Sequence, residues 1–237
     1  YGDHRDLHLS LRRQRQMCIR DRFVKDYVAE KIGMKHKVPT IKVLHHMQEV
    51  RGFSFPQRCC VKPTHLSGRV ILRENGEKID FDVIQKWLNT NWYDLKREKN
   101  YRFLTPKIIV EPLIFDRTNN YDYKFFCYKG RAKFVQVDID RWTNYVRLFF
   151  DREWNQQEFT TLKKKSIKSI KKPGNFESML RIADCLSKDF EFIRVDLYTD
   201  GEDIYVGELT NWPGNGIIYF VPKSSEETAS KLLFDSN

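Results

Sequence analysis

The sequence predicts an α+β protein, on three observations. Short β-branched and aromatic runs are joined by tight polar turns. Helical-period segments interrupt them irregularly, and the prominence of hairpins argues against a doubly wound parallel sheet. Hydrophobic residues make up 41% of the chain and aromatic residues 14%, enough to pack one domain or two small lobes.

Taken in order, residues 1–22 are set aside first. Arg12 to Asp21 is residue for residue what the codons CGT CGG CAG CGT CAG ATG TGT ATA AGA GAC specify. That string resembles one frame of a transposon-type sequencing adapter, and Arg22 fits the nucleotides that would follow. Residues 1–22 are therefore expected to be a non-native artefact, with native sequence from near Phe23 and its own start missing. "FVKDYVAEKIGMKH" then spaces Val24, Tyr27, Val28 and Ile32 as one helical face, stopped by Gly33. "PTIKVLHHMQEV" reads as a strand and the start of a helix. "RCCVKPTHLSGRVIL" gives two short strands around a turn containing Gly68. "FDVIQKWLNTNWYDLK" recovers helical period, and "PKIIVEPLIF" is a buried strand. "YKFFCYKGRAKFVQVDID" is a hairpin turning at Lys129-Gly130, and "YVRLFF" is a further strand. The lysine-rich stretch ending in Pro173-Gly174 reads as a solvated loop, with a contact for an anionic substrate as the alternative, and Asn175 as the N-cap of a helix facing inward with Met179, Ile182, Ala183 and Leu186.

The formal charge is +10; residues 1–22 hold six Arg and three Asp, which leaves +7 for the rest. That balance favours an anionic ligand such as a nucleotide or an acidic polymer and does not call for nucleic acid. No apolar run reaches membrane-spanning length. Cys59, Cys60, Cys127 and Cys185 have neither metal-finger nor disulfide-framework spacing, so they read as small hydrophobes in a reducing cytoplasm.

The chemistry concentrates in "FIRVDLYTDGEDIYVGELTNWPGNG". Ile193, Val195 and Leu197 alternate with Arg194, Asp196 and Tyr198, Asp200-Gly201 turns the chain, and the returning strand carries Val206, Glu208 and Thr210 at alternate positions. If Tyr198 pairs with Ile204 or Val206, Asp196 faces Glu208 at about 5 Å or lies one diagonal away at about 7–8 Å. Two carboxylates that close repel unless a proton, Arg194 or a hard cation lies between them, and Mg²⁺ with phosphate oxygens suits such a pair. Lys62, at the end of an apolar strand, runs into the polar turn from Thr64 to Gly68; the residues alone read as a plain hairpin, or as a loop whose backbone N–H groups suit phosphate oxygens. The Walker spacing is absent.

"DYVAEKIG", "VKPTHLSG", "KIIVEPLI", "DYKFFCYKGRAKFVQVDIDR", "DREWN" and the late hairpin, in that order, resemble the TupA-like ATP-grasp proteins, associated with teichuronopeptide and other bacterial surface-polysaccharide synthesis. The resemblance runs from about Phe23 to Phe220. It implies an ATP-grasp-like fold, two α+β lobes with antiparallel sheets enclosing a nucleotide cleft. Residues 23–57 would be the remnant of an N-terminal region, 58–110 the small lobe with its phosphate loop, and 111–237 the catalytic lobe. It implies ATP and Mg²⁺ as cofactors, with small-molecule or polymer-precursor carboxylate and amine as substrates.

On the same resemblance, Lys62 would contact ATP phosphates, with Thr64, His65, Ser67 and Gly68 in the closing loop. Glu111 and Leu113 would form the hinge at adenine, and Asp122 would meet the ribose. Lys124 and Arg141 would be phosphate contacts of the second lobe. Arg194 would steady the transferring group, and Asp196, Glu208 and Thr210 would hold the metal. Thr210 stands where the family pattern has Asn, and Pro63, Thr64 and Leu66 stand where its loop commonly has Cys, Asn and Gly. Leu66 in particular reduces backbone freedom in the loop. A nucleotide-sugar glycosyltransferase and a non-catalytic anion-binding module are the competing readings.

Overall fold

A computed structural model describes residues 22–98, 101–114, 121–140, 144–162, 169–211, 213–216 and 219–235. Two antiparallel sheets organise them. The smaller has four strands in the order β1 (Lys42–Leu44), β4 (Ile108–Pro112), β2 (Cys59–Pro63), β3 (Ile71–Arg73). The larger has five, in the order β7 (Val146–Asp151), β6 (Arg131–Ile139), β5 (Asp122–Tyr128), β8 (Phe192–Thr199), β9 (Ile204–Thr210).

Alternation assigns each face. In the small sheet Cys59, Val61, Ile108 and Val110 point to a core closed by α2 (Met47–Gly52) and α3 (Phe81–Leu88) through Val50, Ile84 and Trp87. Cys60, Lys62 and Glu111 are left on the opposite face. The predicted continuous helical segment is broken. Thr90 closes α3 by donating to the Lys86 carbonyl at 2.6 Å, and the Asn91 side chain caps a new helix, α4 (Trp92–Lys96), by accepting from Tyr93 N and Asp94 N.

In the large sheet Phe125, Val135, Val137, Val195 and Leu197 form the main core with α5 (Phe176–Ser187). Asn175 does not cap α5 with its side chain as expected. Its Nδ2 donates instead to Thr199 Oγ1 at 2.6 Å. Helix α1 (Arg22–Ile32) precedes the small sheet in sequence yet places Val24, Tyr27 and Val28 in this same large-lobe core, and Tyr27 Oη donates to the Leu186 carbonyl at 3.0 Å. Within residues 23–57, expected as the remnant of an N-terminal region, β1 pairs in the small sheet and α1 packs in the core of the large one.

The second face of the large sheet is divided lengthwise. One half is aromatic, with Phe126, Phe134, Phe149 and Phe159 covered by α6 (Ser225–Phe234). The other half is ionic.

Two β-bulges set that ionic half. From the Lys129-Gly130 turn, where both residues have positive φ, β5 and β6 pair so that Cys127 faces Ala132; beyond Lys133 the register shifts and Lys124 faces Gln136. In the late hairpin Tyr198 faces Tyr205, neither of the expected partners, and Leu197 faces Val206. Continued unchanged, that register would set Asp196 against Gly207 and send Glu208 to the core face. The shift at Gly207 restores Asp196 opposite Glu208 and Arg194 opposite Thr210. Val206, expected beside Glu208, lies in the core instead. A Cβ at Gly207 would collide with the ring of Tyr198, so the bulge position requires glycine. No helix among the described residues is long and apolar enough to cross a membrane.

Candidate active site

The ionic half of the large sheet is a continuous row across all five strands. Arg147 on β7 grips Asp138 on β6 with Nε at 2.7 Å and Nη2 at 3.3 Å. Lys124 Nζ on β5 lies 3.1 Å from Asp122, 3.3 Å from Asp196 and 3.8 Å from Asp138. On β8 Arg194 clasps Asp196 with two hydrogen bonds of 2.6 and 2.7 Å and reaches Thr210 Oγ1 on β9 at 3.1 Å. Thr210 Oγ1 in turn donates to Glu208 Oε1 at 2.9 Å. Gln136 Nε2 donates to Asp138 Oδ1 at 2.9 Å.

Four carboxylates and three cations make the row close to neutral, with one formal negative charge in excess. Burial pulls the Arg194 guanidinium down, yet the Asp196 carboxylate gripping it leaves it above the ordinary arginine value. It is a fixed positive charge. Glu98 follows α4. Burial, with the Glu208 charge also acting against ionisation, pushes its carboxyl above the usual range.

The sequence matches the family described as TupA-like ATPgrasp over residues 5–233. The chain belongs to the TupA-like ATP-grasp family. The matched span takes in residues 5–22, the stretch that the codon reading set apart. No curated protein matches the sequence. Among solved structures, D-alanine–D-alanine ligase from Bacillus anthracis is similar at 16% identity and TM-score 0.45, covering 91% of this chain and 64% of its own. An L-amino acid ligase from Bacillus licheniformis is similar at 11% identity and TM-score 0.48, covering 88% and 45%. N5-carboxyaminoimidazole synthase from Aspergillus clavatus, in complex with ADP and 5-aminoimidazole ribonucleotide, is similar at 10% identity and TM-score 0.43, covering 88% and 47%. The chain thus spans less than two thirds of the length of each of these ligases and synthases.

The family's expected site residues fall into three groups. Asp122, Lys124, Arg194, Asp196, Glu208 and Thr210 are together on the ionic row. Lys62 and Glu111 pair on the small-sheet face that looks toward the large lobe, with Lys62 Nζ 2.5 Å from Glu111 Oε2; Leu113 follows, half-buried, after β4. Burial drives the Glu111 carboxyl up, but Lys62 and Lys25 outweigh it and hold it below the usual range. This pair borders a small cavity that Val206 and Gly207 of β9, the edge strand of the large sheet, also line.

The loop residues form the third group. Thr64, His65 and Leu66 are buried in the small lobe, not poised over a cleft. Thr64 N donates to the Lys107 carbonyl at 3.0 Å, and His65 Nε2 lies 2.8 Å from the Trp87 carbonyl. Burial pulls the imidazole below its ordinary value, so His65 is a neutral donor to α3. Leu66, the departure from the family's glycine, is a core residue of this lobe. Only Ser67 and exposed Gly68, at φ +68°, remain outside that packing. Arg141 lies outside the described residues.

Asp138, Gln136, Arg147 and Lys25 did not emerge from the sequence as site residues. A signal for two of them existed: in "KFVQVDID" Phe134, Gln136 and Asp138 alternate with Val135, Val137 and Ile139. Placing them beside Lys124 depends on the bulge at Lys133.

Proposed function

We propose that the chain is an ATP- and Mg²⁺-dependent ligase that activates a carboxylate as an acyl phosphate and passes the acyl group to an amine or thiol of a surface-polymer precursor. The observation that carries this reading is the pairing of Asp196 with Glu208 across β8 and β9, flanked by Arg194, Thr210 and Lys124. Membership of the TupA-like ATP-grasp family supports it.

The donor set fits magnesium. Two carboxylates and a hydroxyl are hard oxygen donors. Mg²⁺ is ordinarily held by one or two carboxylates and completed by phosphate oxygens and water. Asp196, Glu208 and Thr210 would hold it, and bound there it would neutralise charge on the phosphate chain.

The remaining residues act directly. Arg194 is held in one plane by Asp196 and Thr210, so its guanidinium is preorganised toward charge developing on a transferred phosphoryl group. Lys124 is surrounded by Asp122, Asp138 and Asp196, and a phosphate would compete with these carboxylates for its ammonium. Lys62 would approach the phosphates from the small lobe, with the backbone at Ser67 and Gly68. In the reaction a substrate carboxylate oxygen bonds to the γ-phosphorus as the bond to ADP breaks. The amine nitrogen then bonds to the acyl carbon, phosphate departs and the nitrogen loses a proton.

The test is thermal stabilisation by a non-hydrolysable ATP analogue with and without Mg²⁺, in the wild type and in Asp196→Asn with Glu208→Gln. The expected result is a Mg²⁺-dependent rise in Tm that the double variant lacks. A well-folded wild type that shows no such rise overturns the reading, and preference for a nucleotide sugar over ATP would favour a glycosyltransferase.

A further inference from the structure

Helix α1 packs on the large lobe yet delivers Lys25 into the seam against the small lobe. Its Nζ lies 2.5 Å from Glu111 Oε1 and 2.6 Å from Thr40 Oγ1, and the side chain is 12% exposed. Lys62 holds the other Glu111 oxygen. Lys37 lines the same seam and is paired with Asp26 at 3.7 Å. The cavity left between these groups, with Val24, Val28, Val38 and Val206 in its walls, is about 10 Å³, close to the least volume that holds a single water.

One carboxylate does not neutralise two ammonium groups. The Lys25–Glu111–Lys62 cluster therefore keeps a formal positive charge inside a largely apolar seam, and such a charge is costly unless a second anion arrives. Burial pulls Lys25 below its ordinary value despite the neighbouring Glu111. The Lys25–Glu111 pair also joins the two lobes, because α1 is anchored in the large-lobe core and Glu111 lies on β4 of the small sheet.

We propose that this seam is a polyphosphate site in which Glu111 stands in for the incoming anion, and that Lys25 is a phosphate-binding residue passed from Glu111 to the ligand as the lobes part. The inference rests on the nucleotide reading above and extends it to a side chain outside both sheets. A triphosphate does not fit a 10 Å³ cavity, so entry requires the Lys25–Glu111 contact to open.

The probe is inorganic tripolyphosphate, with binding measured by calorimetry at low salt for the wild type, Lys25→Met and Glu111→Gln. Lys25→Met leaves the neutral Lys62–Glu111 pair intact and is the variant that carries the test. It is expected to weaken binding roughly tenfold, the scale of one charge-assisted contact. Glu111→Gln removes the competing anion and is expected to tighten it. Should that variant fail to fold because two lysines are left without a counter-ion, Lys25→Met decides alone. No tripolyphosphate binding by the wild type, or binding by Lys25→Met equal to or tighter than wild type, overturns the proposal, as does weaker binding by folded Glu111→Gln. The two readings fail separately. Mg²⁺–ATP stabilisation with an unaffected Lys25→Met leaves the ligase and removes this site, whereas tripolyphosphate binding that depends on Lys25 without Mg²⁺–ATP stabilisation does the reverse.

Discussion

Replacing Arg147 with Met tests whether the ionic row is held together as a unit. Asp138 is fully buried, and its side chain is 0% exposed. Arg147 supplies two of its contacts, at 2.7 and 3.3 Å, and is itself mostly buried. Removing one partner of a buried pair costs about 3–5 kcal/mol because the other charge is left uncompensated. Gln136 at 2.9 Å and Lys124 at 3.8 Å remain on Asp138, which sets the expectation at the lower end, about 3 kcal/mol. That is a factor of roughly 150 in the folding constant. In urea, with a slope of about 1–3 kcal/mol/M, the midpoint should fall by about 1 M or more with the slope unchanged. Circular dichroism and tryptophan fluorescence should give coincident transitions, the condition for a two-state reading. Adding Asp138→Asn to Arg147→Met removes the stranded charge and should recover about half of the loss or more. An Arg147→Met protein within about 1 kcal/mol of wild type, or a double variant no more stable than the single one, would refute the argument that Asp138 depends on Arg147.

Two further outcomes follow from the fold. Gly207→Ala should destabilise by about 1–3 kcal/mol through the collision with Tyr198, and should reduce Mg²⁺–ATP stabilisation by disturbing the Asp196–Glu208 register; an unchanged Tm with unchanged nucleotide response would contradict the bulge assignment. His65, neutral and depressed in the fold, leaves stability unaffected above the unfolded value near 6.5. As pH falls through that value the unfolded chain takes up the proton first, so stability should decline by up to about 1.4 kcal/mol per pH unit until the folded form also protonates. Comparing denaturation at pH 7.5 and 5.5 in wild type and His65→Gln checks this, and equal pH dependence in the two proteins would count against it.

Much of the site was legible because strand alternation is a short-range property. Arg194 and Asp196 share a face of β8 whatever their partners do, and Lys124 alternates with Phe125 in the same way. The loop from Thr64 to Leu66 was harder to read. Its small polar residues match an exposed anion-binding turn, but in the structure the Lys107 and Trp87 carbonyls claim Thr64 and His65, and Leu66 fills the small-lobe core. Both carbonyls come from segments more than twenty residues away along the chain, so no local pattern could show the competition. Lys25 was hidden for a related reason. Its helical face was evident, but its pairing with Glu111 joins segments 86 residues apart.

The α+β class, the position of most strands and helices, and the Lys129-Gly130 and Asp200-Gly201 turns follow from side-chain period and turn chemistry within a few residues. Which of those strand faces meet is set by long-range strand pairing. Single-residue bulges at Lys133 and Gly207 reverse the face of everything beyond them, and they bring Gln136 and Asp138 to Lys124 and Glu208 to Asp196. A bulge adds one residue without altering the alternation on either side of it, so its effect on the site becomes visible only when the strands are paired.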